Sequence, residues 1–224
     1  MKLLSVHAVS REAVEAVYRY SHTYHIPLIL SFDALTCNVN SGYLCSTEEL
    51  MSLMRQNQSK YPDAKVFSYR KNLGPGFGNS DLTATWKTLR NDLRFGIDCV
   101  HLNFTNLRLS RQENVSKISE AIRFINKQSF STQIELGDRL LGHKAAIGDI
   151  EEFLRNDISP LYLNFNTGSD VRENYQYGTF HENHVEEVIS RCPQVRLKES
   201  NSDFLTREQI LSCLLYTSPS PRDS

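Results

Sequence analysis

Seven short apolar runs alternate with stretches of helical period along this chain, and that alternation limits the fold more than any other feature. The predicted strands are Leu3–Val6, Leu28–Phe32, Lys65–Tyr69, Asp98–Asn103, Thr132–Leu136, Leu161–Phe165 and Val195–Lys198. Helical signals fill the gaps. Ser10 can cap a stretch with Ala13, Val14, Val17 and Tyr18 on one face, and Ser46-x-x-Glu49 is a capping box before Leu50, Leu53 and Met54. Leu82, Trp86, Leu89 and Leu93 form an apolar stripe that stops at Gly96, a suitable left-handed terminator. Ser110-x-x-Glu113 opens a helix carrying Val115, Ile118, Ile122 and Ile125, and shorter helices are predicted over Asp149–Arg155 and His181–Arg191. Strict strand–helix alternation predicts a parallel sheet with helices outside it. Seven repeats of it favour an α/β fold of the (β/α)8 TIM-barrel type over a doubly wound sheet.

Length and charge narrow the function. The 224 residues suffice for one large α/β domain, and a net charge of −1 gives no electrostatic case for nucleic acid or an anionic membrane. No apolar run approaches the roughly 18 residues needed to span a bilayer. The opening MKLLSVHAVSREAV, interrupted by Ser5 and His7, is a poor signal peptide, so a cytoplasmic protein is expected. Five cysteines without a CxxC pair read as reduced, structural thiols.

In such barrels the reacting groups sit where strands end. Those ends supply Asp33 and Asn38; Arg70, Lys71 and Asn72; His101 and Asn103; Gln133 and Glu135; Asn164, Asn166 and Asp170; and Lys198, Glu199 and Asn201. Polar caps are also what any barrel needs at its strand exits, so this density alone does not establish a site. Gly74-Pro-Gly76-Phe-Gly78 lacks GxGxxG spacing and reads as a tight loop. His181-x-x-His184 opens a helix without the HExxH pattern and reads as a solvent-facing pair.

Taken in order, the motifs resemble the class II (zinc-dependent) fructose/tagatose-bisphosphate aldolase family over about residues 1–211. SVHAVSREAVEAV resembles its first strand and helix, and CNVNSGYLCSTEEL its Gly/Asn-rich segment after strand two. VFSYRKNLGPG resembles the GGDHLGPN region, and CVHLNFTNL with QEN the strand that carries an aspartate. QIELG resembles VEAELG, LYLNFNTGSD the strand with a THG turn, and VRLKESNSDFLTREQI the VLHGGSG strand and its helix. The resemblance implies an aldehyde-lyase of carbohydrate metabolism, a catalytic zinc on imidazoles and a carboxylate that moves protons.

The residues at those positions depart from the pattern. Lys71 and Asn72 replace the aspartate–histidine pair, Asn103 replaces the aspartate, Asp170 falls near the THG histidine, and Lys198 replaces the histidine of HGGSG. Glu135 keeps the expected type. A protonated lysine cannot bind zinc and asparagine is a weak ligand, so no cofactor is expected. Glu199 in the would-be phosphate loop repels a dianion.

The implied catalytic positions are thus Lys71, Asn103, Glu135 and Lys198. The implied substrate-binding positions are Arg70, Asn72, Asn166, Asp170 and Asn201. The expectation is a degenerate relative that binds a sugar phosphate or serves as an auxiliary subunit, as a homo-oligomer or beside a paralogous aldolase. Two alternatives stay open: an active lyase working through Lys71, Lys198 and Glu135, by a Schiff base among other routes, and a non-enzymatic scaffold. Finally, residues 213–223 resemble the translated read-through of a sequencing-library adapter. One domain is therefore expected over 1–212, ending inside a helix opened by Thr206-x-x-Gln209, with 213–224 an artefact tail and the eighth strand missing.

Overall fold

A computed structural model describes residues 3–7, 10–34, 36–38, 44–75, 82–107, 109–128, 131–156, 158, 162–167, 169–172, 175–178, 180–198 and 208. Its principal elements are β1 (Leu4–His7), α1 (Arg11–Tyr24), β2 (Leu28–Phe32), α2 (Thr47–Lys60), β3 (Val66–Leu73), α3 (Thr83–Phe95), β4 (Cys99–Leu102), α4 (Arg111–Gln128), β5 (Gln133–Gly142), α5 (His143–Arg155), β6 (Tyr162–Asn166), α6 (Glu182–Arg191) and β7 (Arg196–Lys198). This is the alternation of a (β/α)8 TIM barrel, with seven parallel strands present among the described residues. The chain divides into two compact units, one built from 3–108 with 121–133 and the other from 109–120 with 134–224.

In the first unit β1, β2, β3 and β4 pair in parallel in chain order, from Leu4↔Leu28 through Phe32↔Arg70 to Leu73↔Leu102. The ladder slips between Arg70 and Leu73, where Asn72 adopts a left-handed φ of 52°. Val14, Val17 and Tyr18 of α1, Leu50 and Met54 of α2 and Leu89 of α3 are buried with Leu28, Leu30, Phe32, Val100 and Leu102 of the strands. Helix starts follow the capping signals. The Ala13 N–H donates to Ser10 Oγ at 3.1 Å, and at α2 the Ser46 and Glu49 amides donate to each other's side chains at 2.8 and 3.2 Å. Ser110 and Glu113 make the same reciprocal pair at α4. The α3 helix ends on Gly96 at φ 79°.

In the second unit β5, β6 and β7 pair in parallel, Leu136↔Leu163↔Leu197 lying in register. Ala146, Ile147, Ile150 and Phe153 of α5 and Val185 and Val188 of α6 are buried with Leu136, Leu163 and Phe165. A short antiparallel pair, Ser169–Arg172 with Tyr175–Gly178, follows β6. Here two sequence expectations shift. Strand β5 continues to Gly142 instead of stopping at Leu136, and α5 begins at His143, not Asp149. The helix extends back beyond the expected Asp149 because Ala146 and Ile147 already join Ile150 and Phe153 on its buried face.

Candidate functional site

Strand alternation sends every second side chain to the same face. In the second unit it puts Glu135, Tyr162, Asn164 and Lys198 on the face opposite Leu136, Leu163 and Leu197. Lys198 Nζ lies 3.2 and 3.1 Å from the two Glu135 carboxylate oxygens. The Glu135 side chain is 1% exposed and that of Lys198 21%, so the pair closes a carboxylate off from water on one side only. Asn164, at 4% exposure, is aligned with Lys198 on the intervening strand β6. Just beyond Glu135, Gly137 has φ 91°, and a Cβ there would meet the Asn164 carbonyl oxygen at 2.0 Å. Only glycine lets β5 pass so close to the asparagine. Asn166 ends β6, half-buried. Asp170 lies in the strand Ser169–Arg172, while Glu199 and Asn201 fall outside the described residues. Gln133 is exposed at the other end of β5.

The strand ends of the first unit are organised differently. Arg70, expected to bind substrate, is fully buried and turned toward the helices. All five of its N–H donors are engaged. Nε and Nη2 take the Asp92 carboxylate at 2.7 and 2.6 Å, and Nη2 also donates to Thr47 Oγ1 at 3.1 Å. Nη1 donates to the carbonyls of Asp33 and Cys37. Desolvation works to lower its pKa, yet the hydrogen bonds and charge of Asp92 outweigh that and hold it above the ordinary value. A guanidinium so saturated has no donor left for a ligand. It ties α2 and α3 to β3 instead.

Lys71 is half-buried and Asn72 exposed. The Asn72 amide N–H donates to His101 Nδ1 at 3.3 Å, which fixes that buried ring with its proton on Nε2. Asn103 folds its side-chain oxygen back onto Thr105, accepting from its amide at 3.1 Å and its hydroxyl at 2.6 Å. Gly74 explains the start of the Gly-Pro-Gly loop, since a Cβ there would lie 1.6 Å from the Asn103 carbonyl oxygen. The loop's later glycines fall outside the described residues, as does the Asn38 side chain.

His7 is the group that strand-end reading missed. It closes β1 with Nε2 3.9 Å from Asp33 Oδ2. Thr36 holds that carboxylate, donating from its amide at 2.9 Å and its hydroxyl at 3.1 Å. Desolvation lowers the His7 pKa, Asp33 opposes it and the Lys71 charge adds to it. The parallel β1–β2 register, Leu4↔Leu28 through His7↔Ser31, brings the end of β1 beside Asp33, and no local pattern in the chain announces that pairing.

The zinc that the aldolase resemblance implies does not fit this donor set. Within the second unit the Lys198 ammonium already occupies the cation position beside Glu135, and a protonated lysine offers zinc no lone pair. Among the described residues no three His, Cys, Asp or Glu side chains gather to hold a metal.

No protein-family model matches the chain, and no curated protein matches it. Solved structures do. A probable tagatose 6-phosphate kinase from Sinorhizobium meliloti 1021 superposes with a TM-score of 0.79 at 11% identity, over 97% of this chain and 63% of the other. A fructose-bisphosphate aldolase from Campylobacter jejuni gives 0.69 at 12% identity, over 96% of this chain and 68% of that one. A deoxyribose phosphate aldolase from Aeropyrum pernix gives 0.60 at 11%, over 96% and 82%. The protein has an aldolase-like barrel fold, and it spans less than two thirds of the first of these neighbours.

Proposed function

We propose that this protein is a sugar-phosphate-binding relative of the class II fructose/tagatose-bisphosphate aldolases that works in cytoplasmic carbohydrate metabolism without zinc chemistry, alone or as an auxiliary subunit of a paralogous aldolase. The observation that supports this reading is the Glu135–Lys198 ion pair. It puts a fixed ammonium where the resemblance implies an imidazole ligand, beside the one carboxylate of the expected type. A divalent cation there would face that ammonium, while a phosphate or an enediolate-like oxygen would be attracted to it. Asn164 and Asn166 on the neighbouring strand supply neutral donors for hydroxyl groups.

The same pair weighs against the Schiff-base route through Lys198. An amine attacks a carbonyl only after losing its proton, and an ammonium clasped by a carboxylate is held in the protonated form. Titration calorimetry with a ketose bisphosphate tests the reading. The wild type should bind, and Lys198→Glu should weaken binding more than about tenfold, the effect of one reversed charge at close range. A wild-type protein that binds no ketose or aldose phosphate would leave the scaffold alternative standing in its place.

A further inference from the structure

The second unit contains a group of imidazoles that the proposed function does not use. His143 is the first residue of α5, His181 caps α6 and His184 lies in the first turn of α6. The rings of His143 and His184 stack 3.7 Å apart at 17°, across two helices. His181 completes the group, its ring 4.7 Å from that of His184 and tilted by 48° to it. His143 Nε2 is 3.3 Å from Glu187 Oε2. The group sits at the ends of strands, since His143 directly follows Gly142 of β5 and the His181 amide donates to the Thr167 carbonyl just past β6 at 2.7 Å. Those two strands carry Glu135 and Asn164.

The surroundings of His184 favour its uncharged form. Both helices present their N-terminal ends, where a positive charge is disfavoured. Burial lowers the His184 pKa first, the rings of His143 and His181 add to it, and Lys144 contributes in the same sense; Glu187 alone pulls the other way. Further along the same helix pair, Arg191 and Glu151 form an ion pair. Two neutral imidazoles at that distance carry no net charge to drive them apart, whereas two imidazolium rings repel each other.

We propose that the His143–His184–His181 stack is an acid-sensitive fastener between the first turns of α5 and α6, holding the segments that leave β5 and β6 together when uncharged and releasing them when a second ring takes up a proton. This device is independent of which ligand the strand ends bind. Charging it loosens the support of Glu135 and Asn164 from outside.

Hydrogen exchange on the full chain, corrected for the intrinsic pH dependence of amide exchange, tests it. Between pH 7.5 and pH 5.5 the opening of segments 143–150 and 181–188 should increase about fivefold, the effect of two unit charges repelling at about 4 Å in a water-like medium. Segment 47–60, in α2, should not respond. His184→Gln should keep the neutral-pH protection and remove the acid response; if that variant does not fold, His143→Asn carries the same expectation. Unchanged opening of the wild type at pH 5.5, or an acid response that survives in the folded variant, would overturn the proposal.

Discussion

Replacing Lys198 with methionine removes the ammonium from Glu135 while keeping the aliphatic stem. The magnitude follows from where the pair sits. Breaking a fully buried ion pair costs about 3–5 kcal/mol, and an exposed one about 0–1 kcal/mol. Glu135 is closed off at 1% exposure but Lys198 keeps 21%, so the pair belongs between those limits and nearer the buried one. A loss of about 2–3 kcal/mol is expected for Lys198→Met. Urea unfolding followed by far-UV circular dichroism reads this as a fall in midpoint of about 1 M, for a slope of roughly 2–3 kcal/mol per M in a chain of this size. Glu135→Gln and the double variant complete a cycle whose coupling energy should be about 2 kcal/mol, with the double variant less destabilised than the sum. A coupling below about 0.5 kcal/mol would show that the pair is a surface-like contact and would remove the main physical support for a fixed charge at the site.

Four further outcomes follow from the first unit. Asp92→Ala leaves the buried Arg70 guanidinium without its carboxylate and should cost about 3–5 kcal/mol by urea unfolding; a loss under about 1 kcal/mol would refute its structural assignment. Lys71→Met should raise the His7 pKa and Asp33→Asn should lower it, both read by NMR titration of the ring; unmoved titration in both would remove the electrostatic grouping. Because His7 has a folded pKa below its ordinary 6.5, its contribution to stability is complete above that value and is lost as pH falls through the lowered one, so acid should destabilise the wild type more than His7→Gln. Asn72→Val forces a β-branched residue into φ 52° and should cost about 1–2 kcal/mol, while Asn72→Gly should be near neutral.

Local signals in the chain were legible where backbone chemistry decides the outcome. Ser10, Ser46 and Ser110 cap helices as their spacing predicts, and Gly96 ends α3 in the left-handed region. The (β/α) alternation followed from the apolar runs. What the residues did not disclose depends on pairings distant in sequence. Arg70 reads as a strand-end cation, and only the arrival of Asp92, 22 residues later on the buried face of α3, turns it into a structural post. Leu82 and Trp86 of the apolar stripe are only half-buried, whereas Thr85, Thr88 and Asp92 are buried beside Leu89. His7 carries no local signal because its partner is set by the β1–β2 register. Likewise His181 and His184 read as a solvent-facing pair until α5 starts early enough to lay His143 against them.

Ligand binding measured before and after chelation addresses the central claim most directly. Calorimetry with a ketose bisphosphate, run on the purified protein as isolated and again after dialysis against EDTA, should give the same affinity, with no retro-aldol cleavage in either sample. Stoichiometric zinc in the isolated protein, with binding and cleavage of the ketose bisphosphate that vanish on chelation and return with zinc, would contradict a site built on the Glu135–Lys198 pair.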